Sequence, residues 1–341
     1  MNAIIESSAF QRAMPFVKNR QILAYGSGYA LAATLEQTDL KIKYIVDDNP
    51  AHEGQTAHGI PIQPSSILLS ENHNDVFIII FAYTTNALEK ISDRLRGMGF
   101  EYYKDFIDCS IFHFFSISEK LQSCFSIQPM YTDYLRIKSN TLYSTLKNNS
   151  YIAGTWLLCE LYSNLCSNLE GSIAECGVYT GGNALISMIT VREFLKKEYY
   201  LFDSFEGFPE ISAYDPDSRK NDFQENDFQM IKDKFIEYPN VKIVKGLFED
   251  TLQSVENEKF CMVYMDSDLY ESTKECCEFF YDKMVSGGVM VCHDYWVPKS
   301  EFPDKPSVFT GAKKAMDEFF ANTPEEIVVF PETSHAVVVK N

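Results

Sequence analysis

The sequence predicts an α/β protein built on two open, mostly parallel sheets, and two observations carry that prediction. Short apolar runs alternate with helix-patterned segments along both halves of the 341-residue chain, as repeated βα units require. In each half an apolar run also ends in a glycine turn that opens a helix pattern. The first turn is Tyr25-Gly26-Ser27-Gly28; the second is Glu175-Cys176-Gly177-Val178-Tyr179-Thr180-Gly181-Gly182. The length fits about two domains.

In the first half, residues 21–25 read as a buried strand and Tyr29 to Glu36 as a helix. Residues 42–46 form a second strand ending in Asp47-Asp48-Asn49-Pro50. After His58-Gly59-Ile60-Pro61-Ile62, the run Val76 to Phe81 is almost wholly apolar, as a parallel strand covered on both faces should be. Asn86 to Gly97 is a helix pattern. A connector follows, with helical readings at 118–125, 139–147 and 152–169. In the last of these, Leu157, Leu158, Leu161, Leu165 and Leu169 recur at helical spacing.

The second half resumes at Ser172. Its turn is neither a Walker A loop nor a Gly-x-Gly-x-x-Gly fingerprint, so these residues alone leave open whether it holds a ligand or is an ordinary βα turn. Strand 198–202 delivers Asp203, about 20 residues on, where an acid is placed to grip ribose hydroxyls. The polar segment 213–228 reads as a lid. Strands at 241–244 and 260–265 lead to Lys245-Gly246-Leu247-Phe248 and Asp266-Ser267-Asp268-Leu269-Tyr270. Helices are expected at 273–283 and 308–320. Strand 289–292 runs into His293-Asp294-Tyr295, and two antiparallel strands close the chain at 326–330 and 335–340.

The expected division is 1–115, a helical connector at 116–170, and 171–341. A net charge of −18, from 30 basic and 48 acidic residues, argues against nucleic-acid or anionic-membrane partners, since both need a basic face. Nine cysteines without a Cys-x-x-Cys suggest neither zinc nor a disulfide framework, and fit reduced thiols in a cytoplasmic protein. There is no signal-peptide pattern and no run approaching the ~20 apolar residues of a membrane span.

These motifs carry two resemblances. The first half, through Tyr25-Gly26-Ser27-Gly28, residues 46–50, Gly54, residues 58–62 and the strand at 76–81, resembles the Rossmann-like accessory domain of bacterial sugar-modifying enzymes. That resemblance implies a turn able to cradle a nucleotide phosphate, with Asp47 accepting a ribose hydroxyl; the alternative is a domain that only docks. From about 145 onward, five motifs in order resemble the macrocin O-methyltransferase (TylF-type) family. They are 175–182, Asp203-Ser204-Phe205-Glu206-Gly207-Phe208-Pro209, 245–252, 266–273 and 287–295. The family has the seven-stranded sheet of class I S-adenosylmethionine-dependent methyltransferases.

The resemblance implies S-adenosylmethionine as cofactor. Glu175, Gly177, Tyr179, Gly181 and Gly182 would lie at its amino-acid end, and Asp203 and Ser204 at the ribose. Gly246 and Phe248 would cover the adenine, and Asp266 stands at the carboxyl end of its strand, where ligands bind in open α/β sheets. It implies a divalent metal, usually magnesium, on Asp266, His293 and Asp294. The family has Asp-Asp-Tyr where this chain has His293-Asp294-Tyr295, so His293 either shifts the preference toward manganese, iron or zinc or does not ligate. The family's lid histidine is absent too, since residues 204–240 contain no His. The base is left among His293, Asp268, Asp215 and Asp222, or is made unnecessary by a metal.

The activity implied is O-methylation of a sugar hydroxyl in a glycoside, nucleotide-sugar or polysaccharide precursor, by a homo-oligomer. The alternatives are N- or C-methylation, or a non-catalytic nucleotide-sugar-binding protein.

Overall fold

The computed structural model describes residues 17, 19–37, 40–82, 85–102, 104–130, 152–208, 211–215, 222–224, 227–296 and 310–341. The expected helix at 139–147 and part of the expected lid lie outside them. In the first half, β1 (Gln21–Tyr25), α1 (Tyr29–Gln37), β2 (Ile42–Val46), β3 (Thr56–Ala57), β4 (Ile60–Gln63), β5 (Val76–Ile80), α2 (Thr85–Gly97) and β6 (Phe106–Asp108) follow in order. They build a six-stranded sheet, β3-β4-β2-β1-β5-β6. All its pairs are parallel except β3 with β4. Every residue of β5 is buried, as its uninterrupted apolar run requires. The sequence pattern missed β3 and β6 because two- and three-residue strands are too short to show a period.

The connector holds α3 (Ser110–Phe125) and α4 (Ile152–Leu161). The first begins at Ser110 rather than 118, taking in the aromatic run before it. The second passes into a π-helical turn, Tyr162–Cys166, where one helix to 169 was expected. All of α4 is buried, the mark of a helix with protein on every side. One apolar cluster joins Leu23 and Val76 of the first sheet to Trp156 and Leu157 of α4. It continues to Ile173, Val289 and Val337 of the second, so the core runs through the connector.

The second half contains β7 (Ser172–Cys176), α5 (Gly182–Thr190), β8 (Tyr199–Asp203), α6 (Phe228–Lys234), β9 (Val241–Lys245), α7 (Phe248–Thr251) and β10 (Phe260–Met265). It continues with α8 (Tyr270–Phe280), β11 (Met284–Cys292), α9 (Gly311–Phe320), β12 (Val328–Phe330) and β13 (His335–Val339). The sheet order is β12-β13-β11-β10-β7-β8-β9. The central pairs are parallel, and β13 runs antiparallel to both its neighbours. This is the expected seven-stranded α/β sheet with an antiparallel closing pair. Helix α8 starts three residues before its pattern because the Asp215 carboxylate accepts from the Tyr270 amide at 3.1 and 3.2 Å, capping its first turn.

The closing hairpin is also where the halves meet. Ser116 of α3 donates to Glu332, Lys120 donates to the Val329 carbonyl, and the Phe125 and Phe330 rings stack 6.4 Å apart. Among the described residues no helix is long and apolar enough to cross a membrane.

Because the core is continuous, damage to α4 should be felt by the whole chain. Trp156 is fully buried, donates to Glu160 at 3.1 Å and packs on Phe114. Trp156→Ala is expected to cost about 3–5 kcal/mol and to lower the midpoint of one shared urea transition. Two transitions, with only one displaced, would contradict a common core.

Candidate functional site

The site is built where the parallel strands of the second sheet end. Sheet register sets a row of facing residues across four strands: Glu175 on β7, Tyr264 on β10, Val291 on β11 and Val337 on β13. Side chains two residues apart share a face. The next row on that face is therefore Gly177, Asp266, His293 and, because β13 runs the other way, His335. The expected residues Glu175, Asp266 and His293 are brought together in this way.

Backbone strain marks the same edge. Tyr179 after β7, Phe205 after β8, Asp268 after β10 and Asp294 after β11 all have φ between 48° and 62°. Such conformations in non-glycine residues cost of order 1–3 kcal/mol and gather at functional sites. Gly177 has φ 89°, and a Cβ there would overlap the Asp266 carbonyl oxygen. At Gly181, φ 72°, a Cβ would press on the Phe235 ring at 2.7 Å. Gly182 opens α5 and is buried.

Glu175 is 1% exposed, accepts from Tyr199 Oη at 2.7 Å and faces Asn183 Nδ2 at 3.4 Å. Burial, reinforced by the charges of Asp266 and Asp203 against the hydroxyl and amide bonds, pushes its carboxyl from 4.5 to about 8. Asp203 holds the glycine turn: Oδ2 accepts from the amides of Val178 and Tyr179 at 2.7 and 2.8 Å, and Oδ1 from Phe205 at 2.7 Å. Ser204 closes its own loop by donating to the Gly207 carbonyl at 2.6 Å. The Gly246 amide donates to the Asp203 carbonyl at 3.0 Å, tying the two loops. Phe248 packs on the second apolar cluster and lines a groove with Leu252 and Phe279. Tyr179 is exposed and meets the Phe223 ring edge-on at 5.1 Å. In the first sheet, Asp47 accepts from the Asn49 amide at 2.9 Å and from Ser27, so its carboxylate closes that loop.

The centre of the site is a pair. His293 Nδ1 lies 2.6 Å from Asp266 Oδ1 and 3.4 Å from Asp294 Oδ1. Burial alone would lower the imidazole, but the charges of Asp266 and Asp294 and the Asp266 bond outweigh it and hold its pKa at about 9. Conversely, His293 holds Asp266 below the usual carboxylate range despite burial. Tyr264 Oη donates to Asp266 Oδ2 at 3.1 Å, and His335 Nε2 lies 3.4 Å from that hydroxyl. Burial first, then the His293 charge, pushes His335 down to about 3.

This pairing bears on the implied metal. The Nδ1 atom of His293 donates to the carboxylate that would be its fellow ligand. Among the described residues no three His, Cys, Asp or Glu side chains are arranged to hold a metal ion. The set Asp266, His293 and Asp294 is thus assembled but arranged as an internal ion pair, which does not fit a metal centre. Asp215, one alternative base, is spent on the α8 amide. Asp268 stands half-buried on the loop after β10. The sequence reading missed Tyr264, Tyr199, Asn183 and His335. The first was visible as the residue two before Asp266 on a strand; nothing local marks His335.

Glu175 gives the site a pH signature. Between pH 4.5 and about 8 the folded chain keeps a proton that the unfolded chain has lost, so this group's burial lowers stability progressively as pH rises. Glu175→Gln removes that cost. Its melting temperature is expected to exceed the native value at pH 9 and to lose that advantage at pH 5; equal differences at both pH values would refute the assignment.

Residues 161–303 match the family model described as macrocin-O-methyltransferase (TylF). The chain is 27% identical over 144 residues to the 8-demethyl-8-(2,3-dimethoxy-alpha-L-rhamnosyl)-tetracenomycin-C 4'-O-methyltransferase of Streptomyces olivaceus, covering 38% of this chain and 55% of that one. It is 26% identical over 151 residues to the mycinamicin III 3''-O-methyltransferase of Micromonospora griseorubida, covering 40% and 59%. The chain thus spans little more than half the length of these relatives. The solved structure of the O-methyltransferase NovP aligns with a TM-score of 0.49 at 19% identity, over 69% of this chain and 100% of that one. The five motifs that organise the second sheet therefore coincide with a segment, 161–303, that matches the macrocin O-methyltransferase (TylF) family.

Proposed function

We propose that the chain is an S-adenosylmethionine-dependent O-methyltransferase acting on a sugar hydroxyl, with His293 as general base and Asp266 as the carboxylate that orients it. The observation that carries this reading is the 2.6 Å His293–Asp266 pair at the carboxyl edge of the sheet, beside the glycine turn. An aspartate on one imidazole nitrogen fixes tautomer and orientation and stabilises the cation formed when the other nitrogen takes a proton. The pair supplies what the lid, without a histidine, does not. The names of the relatives, sugar-directed O-methyltransferases among them, support the substrate class.

The bound cofactor supplies a methyl group on a sulfonium cation. The Asp266 and Asp294 carboxylates, set against His293 as the one basic group beside them, suit a cationic ligand. With the cofactor held beside the glycine turn, Nε2 of His293 would take the proton of the acceptor hydroxyl as that oxygen accepts the methyl group and the thioether leaves. The protein's part is to hold the hydroxyl in line with the methyl, the largest source of rate in such transfers. A divalent ion would first have to separate His293 from Asp266, so the dyad reading expects transfer to persist in excess EDTA.

Measured on a deoxysugar glycoside with S-adenosylmethionine, His293→Ala is expected to lower kcat by about 10²–10⁴-fold. Because the free imidazole is the active form, kcat/KM of the native chain should rise with pH up to about 9, and the variant should lack that limb. Undiminished turnover in His293→Ala, or activity abolished by EDTA and restored by magnesium, would overturn the dyad.

A further inference from the structure

We propose that Tyr264 and His335 are positioning residues that hold the Asp266 carboxylate in the plane His293 needs, an assignment that rests on the dyad reading above. Both oxygens of Asp266 are spoken for. Oδ1 takes the His293 Nδ1 bond at 2.6 Å, and Oδ2 takes the Tyr264 hydroxyl at 3.1 Å. A carboxylate bonded at one oxygen only is free to rotate about its Cβ–Cγ bond; a second donor on the other oxygen fixes the plane. Tyr264 cannot swing away, because its ring is buried near the carboxyl end of β10 and lies 5.7 Å from the His335 ring at 25°. His335 Nε2 sits 3.4 Å from the Tyr264 hydroxyl. That hydroxyl gives its proton to Asp266, so Nε2 carries the hydrogen of this contact. The His335 ring also lies 4.8 Å from the His293 ring. The pair therefore touches both members of the dyad while reaching them from the sheet interior.

The hairpin that delivers His335 is itself anchored. Ser334 turns the chain at φ 64°, and its carbonyl accepts from the Tyr295 amide at 3.0 Å, two residues after His293. On its outer side Glu332 is held by Ser116 of the connector helix. A residue fixed from both sides can hold a catalytic carboxylate to the sub-ångström tolerance that orientation demands.

Tyr264→Phe removes only the hydroxyl. It is expected to lower kcat about tenfold, within what a small misplacement costs, while the acceptor KM, the S-adenosylmethionine affinity by calorimetry and the melting temperature stay near native. His335→Leu should act in the same direction, and His335→Gln, which keeps a donor near Nε2, should restore most of the loss. The Tyr264→Phe/His335→Leu double variant should be little worse than either single one, because residues acting as a unit are not additive. Native kcat in Tyr264→Phe, or a loss matched by equal losses in cofactor affinity and melting temperature, would overturn the proposal. If the native chain transfers no methyl group, the activity reading fails by itself. The positioning role is then read from the Nδ1–H proton resonance of His293 in histidine-labelled protein. That resonance should shift in Tyr264→Phe, and an unchanged one would refute the role.

Discussion

The site depends on how closely β7 and β10 approach at their carboxyl ends. Gly177 lies against the Asp266 carbonyl with no room for a Cβ, and the Asp266 amide donates to the Cys176 carbonyl at 2.8 Å. That contact puts the glycine turn and the aspartate side by side. The parallel register then carries His293 to the next strand end, since its amide donates to the Met265 carbonyl at 2.8 Å. Any side chain at 177 would push the turn off Asp266.

Charge explains the rest of the arrangement. Acids at Glu175, Asp203, Asp266 and Asp294 converge on one sheet edge, and each must be satisfied or neutralised. Asp203 is satisfied by three backbone amides of adjoining loops. Glu175 is buried and favours its neutral form. Asp266 and Asp294 face His293, which burial would otherwise discharge. The chain solves three acidic environments in three ways within one layer of side chains.

The first sheet reaches this layer only indirectly. Its helix α1 and the connector pack against the turn of the closing hairpin, and that hairpin carries His335. The polar contact of Ser116 with Glu332, the Lys120 bond to Val329 and the continuous core make the hairpin a shared element. The connector thus touches β12 and the 331–333 turn, one step from the strand that carries His335.

The sequence by itself determined the α/β alternation, the two glycine turns, the seven-stranded second sheet with its closing antiparallel pair, and the acids at the strand ends. Each is a local signal: a period of two or 3.6, or a residue type at a strand boundary. Tertiary structure decided what those residues do to one another. Whether His293 ligates or pairs depends on where its ring turns relative to Asp266, 27 positions away. That Asp203 binds its own loop, and that Asp215 caps α8 and is not left as a base, follows from contacts across 24 and 55 residues. His335 joined the site only because an antiparallel strand brings it to the row of Gly177, Asp266 and His293. Register between distant strands is a property of the folded sheet, and no single stretch of sequence encodes it.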